Sequence, residues 1–139
     1  SPRSLRRQQT LGDVASDNAD FATAEKAFDR AIQMGEDSCF ARPDDQAGLI
    51  SAMMVTKGPE NALRALNELN KKNSRKKGAK GPHWRLTTVE ATLLGKTKRK
   101  DEAAAAAQRA LDAFKADTTH GSASATLSLV RCCYENGLA

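Results

Sequence analysis

The sequence predicts an all-α protein of about seven helices, and three observations carry that prediction. Apolar residues recur at i, i+3, i+4 and i+7, the spacing of one helical face. Aromatics are 4% of the 139 residues while apolar residues are 40%, so the core is built from Ala, Leu, Ile, Val and Met, which suits close helix contact better than a sheet sandwich. Glycine and proline are sparse and fall between the periodic segments.

Taken in order, the first helix is expected over Pro2 to Asp17 and the second over Phe21 to Met34, with Asn18-Ala19-Asp20 as the tight turn. Ala24, Ala27, Phe28 and Ala31 make the inner face of the second helix, and Gly35 is placed at its end as a residue free to take positive φ. After a loop from Glu36 to Arg42, Pro43-Asp44-Asp45 opens a third helix that runs to Thr56: proline loses nothing at a first turn, and acids suit the positive dipole end. Lys57-Gly58-Pro59 breaks it. A fourth helix from Pro59 to Lys72 carries Ala62, Leu63, Leu66 and Leu69. The fifth, His83 to Leu94, carries Leu86, Val89, Glu90 and Leu93; the turn Gly95 to Lys100 follows. The sixth, Asp101 to Lys115, is alanine-rich, with Ala103, Ala107, Ala110, Leu111 and Phe114 inward. The seventh, Ser122 to Asn136, carries Leu127, Leu129, Val130 and Cys133 and stops at Gly137.

The pairs superpose. Gly12, Ile50, Ala91 and Val130 occupy one place in successive first helices, at intervals of 38, 41 and 39 residues. Ala24, Ala62 and Ala103 occupy one place in the second helices, followed at offsets of four and seven by Phe28, Leu66 and Ala107, then Ala31, Leu69 and Ala110. Small residues there let two antiparallel backbones approach. The order Leu11-Gly12, Ala15, Phe21, Ala24, Phe28, Ala31 resembles the tetratricopeptide repeat (TPR), whose period is about 34 residues; the surplus here lies in the loops between pairs. The first repeat matches best, and the second and third keep the alanines but lose Leu-Gly and the aromatics. The resemblance implies one domain over residues 1–139, a right-handed superhelical stack of antiparallel helix pairs: repeats over about 5–37, 43–72 and 84–116, an orphan helix over 122–136 that looks like half of a fourth pair, and a basic inter-repeat loop over 73–82. Gln33-Met34-Gly35-Glu36-Asp37-Ser38 before Pro-Asp-Asp, with the long period, is also similar to the C-terminal TPR segment of certain bacterial response regulators.

Residues 71 to 80 hold six basic residues, Lys71, Lys72, Arg75, Lys76, Lys77 and Lys80, and no acid; without them the net charge of +5 becomes 16 basic residues against 17 acidic. The basicity therefore belongs to one segment. It reads as a solvated insertion or, secondarily, as a patch for nucleic acid or an acidic protein surface, which Lys96, Lys98, Arg99 and Lys100 would extend. Trp84 is the only aromatic close to it. Three cysteines without C-x-x-C, and two histidines, argue against a disulfide framework or zinc site; the adjacent Cys132 and Cys133 read as small core residues. No apolar run approaches a membrane span, no signal peptide is visible at the start, and a reducing cytoplasm is expected. The chain begins Ser-Pro without Met, as an excised piece would.

For catalysis the inventory is thin. His83 and His120 are expected in solvent, and Gly95-Lys96-Thr97 lacks the earlier glycine of a phosphate loop, Glu90 standing there with no strand before it. No enzyme, cofactor or metal site is expected. The TPR resemblance implies that first helices line a concave face, here Gln9, Asp13 and Ser16, then Asp44, Ala47, Ser51 and Met54, then Arg85, Thr88 and Thr92, then Leu127, Arg131 and Tyr134. The places where some TPR proteins clamp a terminal carboxylate with Asn and Lys hold Asp13, Ser51, Thr92 and Arg131, so that clamp is not expected. The function expected is a non-catalytic scaffold holding a protein or peptide in that groove, part of a larger bacterial signal-transduction protein. A helical nucleic-acid-binding protein using residues 71–80 and a TPR-like secretion chaperone are the alternatives. An apolar side of helix seven (Leu129, Val130, Cys133) left uncovered predicts a homodimer through the C-terminal helix.

Overall fold

The computed structural model describes residues 2–36, 42–76, 78–79, 81–117 and 123–138. Its described residues form seven helices and no strand: α1 (Pro2–Asp17), α2 (Phe21–Gly35), α3 (Pro43–Thr56), α4 (Pro59–Ser74), α5 (Trp84–Lys96), α6 (Lys100–Ala116) and α7 (Ala123–Glu135). None is long and apolar enough to cross a membrane. Every expected helix is present, with ends displaced by at most two residues. Gly35 differs from expectation. It is the last residue of α2, and Glu36 comes next in an extended conformation, so the helix ends without a left-handed glycine.

The chain divides into two compact units, Ser1–Ala62 and Leu63–Ala139. In the first, α1 packs on α2, α2 on α3, and α1 also touches α3. Phe28 of α2 is the centre. An ideal Cβ on Gly12 of α1 would lie 2.6 Å from one ring edge, and one on Gly48 of α3 would lie 2.6 Å from the other. The two glycines thus let α1 and α3 close on one aromatic ring of α2, with Ala15, Ala24 and Ala52 around it and Phe21 and Leu49 at the margin. Leu11, beside Gly12, points away and is 46% exposed. Asp20 caps α2 by accepting from the Thr23 N–H at 3.3 Å.

The second unit repeats the pattern: α5 packs on α6, α6 on α7, and α5 on α7. Trp84, Ala110, Leu129 and Cys133 form its core, with Phe114, Leu111 and Leu138 against them. Trp84, the one aromatic near the basic segment in sequence, is buried in this core and not open to a nucleobase. Its indole meets Phe114 edge-on at 5.1 Å and donates from Nε1 to Asp117 at 2.9 Å. His83 is not in open solvent as expected. It is half-buried and caps α5, its Nδ1 accepting the Arg85 N–H at 3.2 Å, while Nε2 lies 3.6 Å from Asp117.

Three helices, α1, α5 and α7, end the same way. In α1, Ala19 has φ 59°, with Asp20 N–H donating to Ala15 O and Ala19 N–H to Ser16 O. In α5, Lys98 has φ 64°, with Arg99 donating to Leu94 O and Lys98 to Gly95 O. In α7, Gly137 has φ 73°, with Leu138 donating to Cys133 O and Gly137 to Tyr134 O. Each is a Schellman turn, and each left-handed residue stands seven after Gly12, Ala91 and Val130 respectively. Gly12, Ala91 and Val130, which share an interval in sequence, thus also stand at one distance from the reversals after α1, α5 and α7. In α3 the left-handed residue comes one place later, at Gly58 (φ 88°), directly before Pro59, the first residue of α4.

Candidate functional site

In the first unit two expected binding residues of α1, Gln9 and Asp13, belong to a charged network with Arg42 and Asp45, neither of which was expected on that face. Asp45 is buried at 2% exposure; its Oδ2 accepts from Gln9 Nε2 at 2.7 Å and its Oδ1 from Arg42 Nε at 2.7 Å. Arg42 Nη2 then reaches Asp13 at 3.1 Å and the Gln9 backbone oxygen at 3.4 Å. Burial pushes the Asp45 carboxyl above its ordinary value against the pull of Arg42 and Gln9. The expectation that Pro-Asp-Asp places two acids at the dipole end of α3 needs refinement. Only Asp44 keeps contact with solvent, while Asp45 turns in to tie α3 to α1. No periodicity signals this, because a buried acid in a first turn looks like an exposed one until its partners, 36 and 3 residues away, are placed.

Gln9 is accordingly not available to a partner: it is 8% exposed and engaged with Asp45. Arg85 and Thr88 are corrected likewise. Arg85 is buried with its guanidinium 5.3 Å from the Trp84 ring centre, and the Thr88 hydroxyl donates back to Trp84 O at 2.7 Å. Of the remaining expected face, Asp13 is exposed, Ser16, Asp44, Ala47, Ser51 and Met54 are half-buried, and Thr92 is half-buried with its hydroxyl on Thr88 O. On α7, Leu127, Arg131 and Tyr134 are exposed. The apolar side expected to lie open on α7 is divided differently: Leu129 and Cys133 are buried, while Leu127, Val130 and Tyr134 are 65%, 58% and 76% exposed.

Lys71 and Lys72 lie in the fourth helix as expected, and the helix extends two residues into the expected loop. They close α4, which continues to Ser74, and two cations there suit the negative end of the helix dipole. Lys71 also pairs with Glu68 at 3.4 Å. Arg75 and Lys76 are exposed in the turn beyond, while Lys77 and Lys80 lie outside the described residues, as do His120 and Cys39.

The second unit has a cleft of about 300 Å³ among α4, α5 and α6. Leu63 and Leu94 supply its apolar lining, and Arg99, Glu102 and the 3.4 Å Arg109–Glu90 pair its charged lining. Charges of both signs around two leucines make a polar crevice, with the Glu90 carboxylate paired to Arg109. Among the described residues no cluster of three His, Cys, Asp or Glu could hold a metal. Cys132 and Cys133 are free and buried, and burial raises the Cys132 thiol to about 11, so at neutral pH it is a protonated core residue. Comparison with protein-family models, with curated proteins and with solved structures yields no match to this chain.

Proposed function

We propose that the chain is a non-catalytic scaffold of the TPR-like solenoid type, whose first helices hold a partner chain on their outward faces. The observation that carries the reading is the Phe28 ring closed between Gly12 and Gly48. Through it α3, a first helix, packs on the preceding pair by way of small residues. Repeats stack by contacts of this kind, and stacked repeats offer extended surfaces to partners. The same three-helix contact pattern recurs in the second unit. In the first unit the part of that face in contact with solvent is Asp13, itself paired with Arg42, together with Ser16, Asp44, Ser51 and Met54, a polar strip with one methionine that suits a helical or extended peptide. A place in a larger bacterial signal-transduction protein fits the sequence resemblance.

The test is co-purification. The tagged chain and its Met54→Asp variant, matched for circular dichroism and melting temperature, are used to isolate binding proteins from cells. Proteins captured by the parent and lost with Met54→Asp support the scaffold; equal capture by both removes it. Retention on nucleic acid that falls steeply with salt and vanishes on changing Lys71, Lys72, Arg75 and Lys76 to Gln favours the alternative reading instead.

A further inference from the structure

The turn 96–100 between α5 and α6 carries Lys96, Lys98, Arg99 and Lys100, all exposed. Among the described residues none of the four side chains pairs with an acid. The turn is held in one shape: the Arg99 N–H donates to Leu94 O at 2.9 Å and the Thr97 hydroxyl to the same oxygen at 3.1 Å. In sequence these cations extend the basic stretch of residues 71–80, and the fold sets them apart from it. Arg99 shares a cleft with Leu63 of α4, and Lys71 stands eight residues further along that helix, about 12 Å at 1.5 Å per residue. The Debye length is about 10 Å at 0.1 M salt, so the two clusters act separately on an exposed ligand. The cleft of about 300 Å³ adjoins the turn. Its apolar part is small: Ala105 is exposed, while Leu63 and Leu94 show only 5% and 6% of their surface. It takes one aliphatic side chain, not a helix face. Its other charged groups are Glu102 and the Arg109–Glu90 pair. The walls are α4, α5 and α6, consecutive helices of the chain, so the repeat register calls for no further helix here.

We propose that the turn 96–100 and the adjoining cleft bind an acidic linear segment of a partner protein, its carboxylates on Lys98, Arg99 and Lys100 and one aliphatic side chain on Ala105 between Leu63 and Leu94. This adds a docking site on the second unit to the scaffold reading and does not depend on the α1–α3 face. Charge complementarity selects an acid-rich chain for a turn of unpaired cations. The cleft selects protein over nucleic acid. Glu90 and Glu102 line it, and a duplex would bring about one phosphate charge per 1.7 Å of its axis against them. A peptide places a neutral aliphatic residue there, and a phosphate backbone has none to offer. Trp84 is buried, so it supplies no platform for stacking an unpaired base.

The probe is the peptide acetyl-Asp-Glu-Leu-Glu-Asp-amide, titrated into the full chain by NMR at 0.1 M salt. The expected result is saturable one-to-one binding with shifts at Leu94, Lys98 and Ala105. Affinity should fall about tenfold in the double variant Lys98→Gln, Lys100→Gln, and in the same direction in Arg99→Gln. Glycine in place of the peptide's leucine should weaken binding about threefold or more. Changing Lys71, Lys72, Arg75 and Lys76 to Gln should leave the affinity within about twofold, because that cluster lies beyond a Debye length. Lys98, Arg99 and Lys100 are exposed and their side chains pair with no acid, so these variants should melt with the parent. Absence of saturable binding overturns the proposal. So does an equal loss in the 71–76 variant, which would reduce the effect to net charge, or an equal affinity for the glycine peptide, which would leave the cleft without a part. A short DNA duplex that binds the turn more tightly than the peptide overturns it as well, since the ligand would then be nucleic acid. Met54→Asp should not alter peptide binding; peptide failure with partner capture by the first-unit face intact would sink this inference alone.

Discussion

Gly12 and Gly48 are the residues on which the first unit turns. Glycine inside a helix ordinarily costs about 1 kcal/mol relative to alanine, so Gly12→Ala would stabilise an isolated α1. In the folded unit the added methyl meets Phe28, and the ring cannot retreat because Gly48 closes its other edge. Overpacking of this kind costs about 1–3 kcal/mol, so Gly12→Ala is expected to lower stability, measured by urea unfolding, despite its better propensity. The opposite sign is expected at Ala19. Its φ of 59° is a conformation that costs an L-residue roughly 1–2 kcal/mol. Glycine removes that strain but adds unfolded-state entropy, leaving a net gain of about 0.5 kcal/mol for Ala19→Gly. A decrease in stability would show that the alanine methyl makes a contact worth more than the strain.

At the scale of helices, the second members of the pairs are defined by their seams and the first members by how they end. Ala103, Ala106, Ala107 and Ala110 are all buried to within 1%, so α6 lies close to its neighbours along its length. The Schellman turns after α1, α5 and α7 use Ala, Lys and Gly at the left-handed position. Glycine is therefore not required for the reversal. On α7, Leu138 joins the core beside Trp84 immediately after Gly137, the apolar contact that accompanies such a turn. The same helix holds Cys132, whose Sγ lies 4.0 Å from Thr88 O. Labelling of Cys132 by a thiol reagent is therefore expected only when α7 lifts from α5. Its rate at pH 7 should fall far below that of the urea-unfolded chain and rise with sub-denaturing urea; fast labelling in the native state would contradict the burial.

At the scale of the whole molecule, charge and pH set the behaviour. The excess of positive charge is concentrated in one stretch of sequence, and two of its lysines close α4. Acid stability has an identifiable contributor in the first unit. The Thr56 hydroxyl most of all, and then Lys57 at 2.9 Å, hold the Glu25 carboxyl below its ordinary 4.5, with burial opposing them. A carboxyl lowered on folding contributes stability above its unfolded value, and that contribution is lost as pH falls through its folded one. Glu25→Gln should therefore melt below the parent at pH 7, and the difference should shrink as pH drops below 4.5 and on through the lowered value. A difference independent of pH would assign the effect to packing.

The amino-acid sequence by itself determined that the chain is helical, where each of seven helices runs to within two residues, and the interval at which small residues recur. Those properties are local: a periodic face, a proline at a first turn and an alanine run act over one or two turns whatever surrounds them. Only tertiary structure decided which polar residues are spent inside. Gln9, Asp45, Arg85 and Thr88 carry side chains typical of a surface, and their burial comes from partners that become neighbours when helices pack. It also decided which side of α7 stays open. Val130 and Leu129 are adjacent and equally apolar in sequence, and a rotation of about 100° between neighbouring residues places Leu129 in the core and Val130 at the surface.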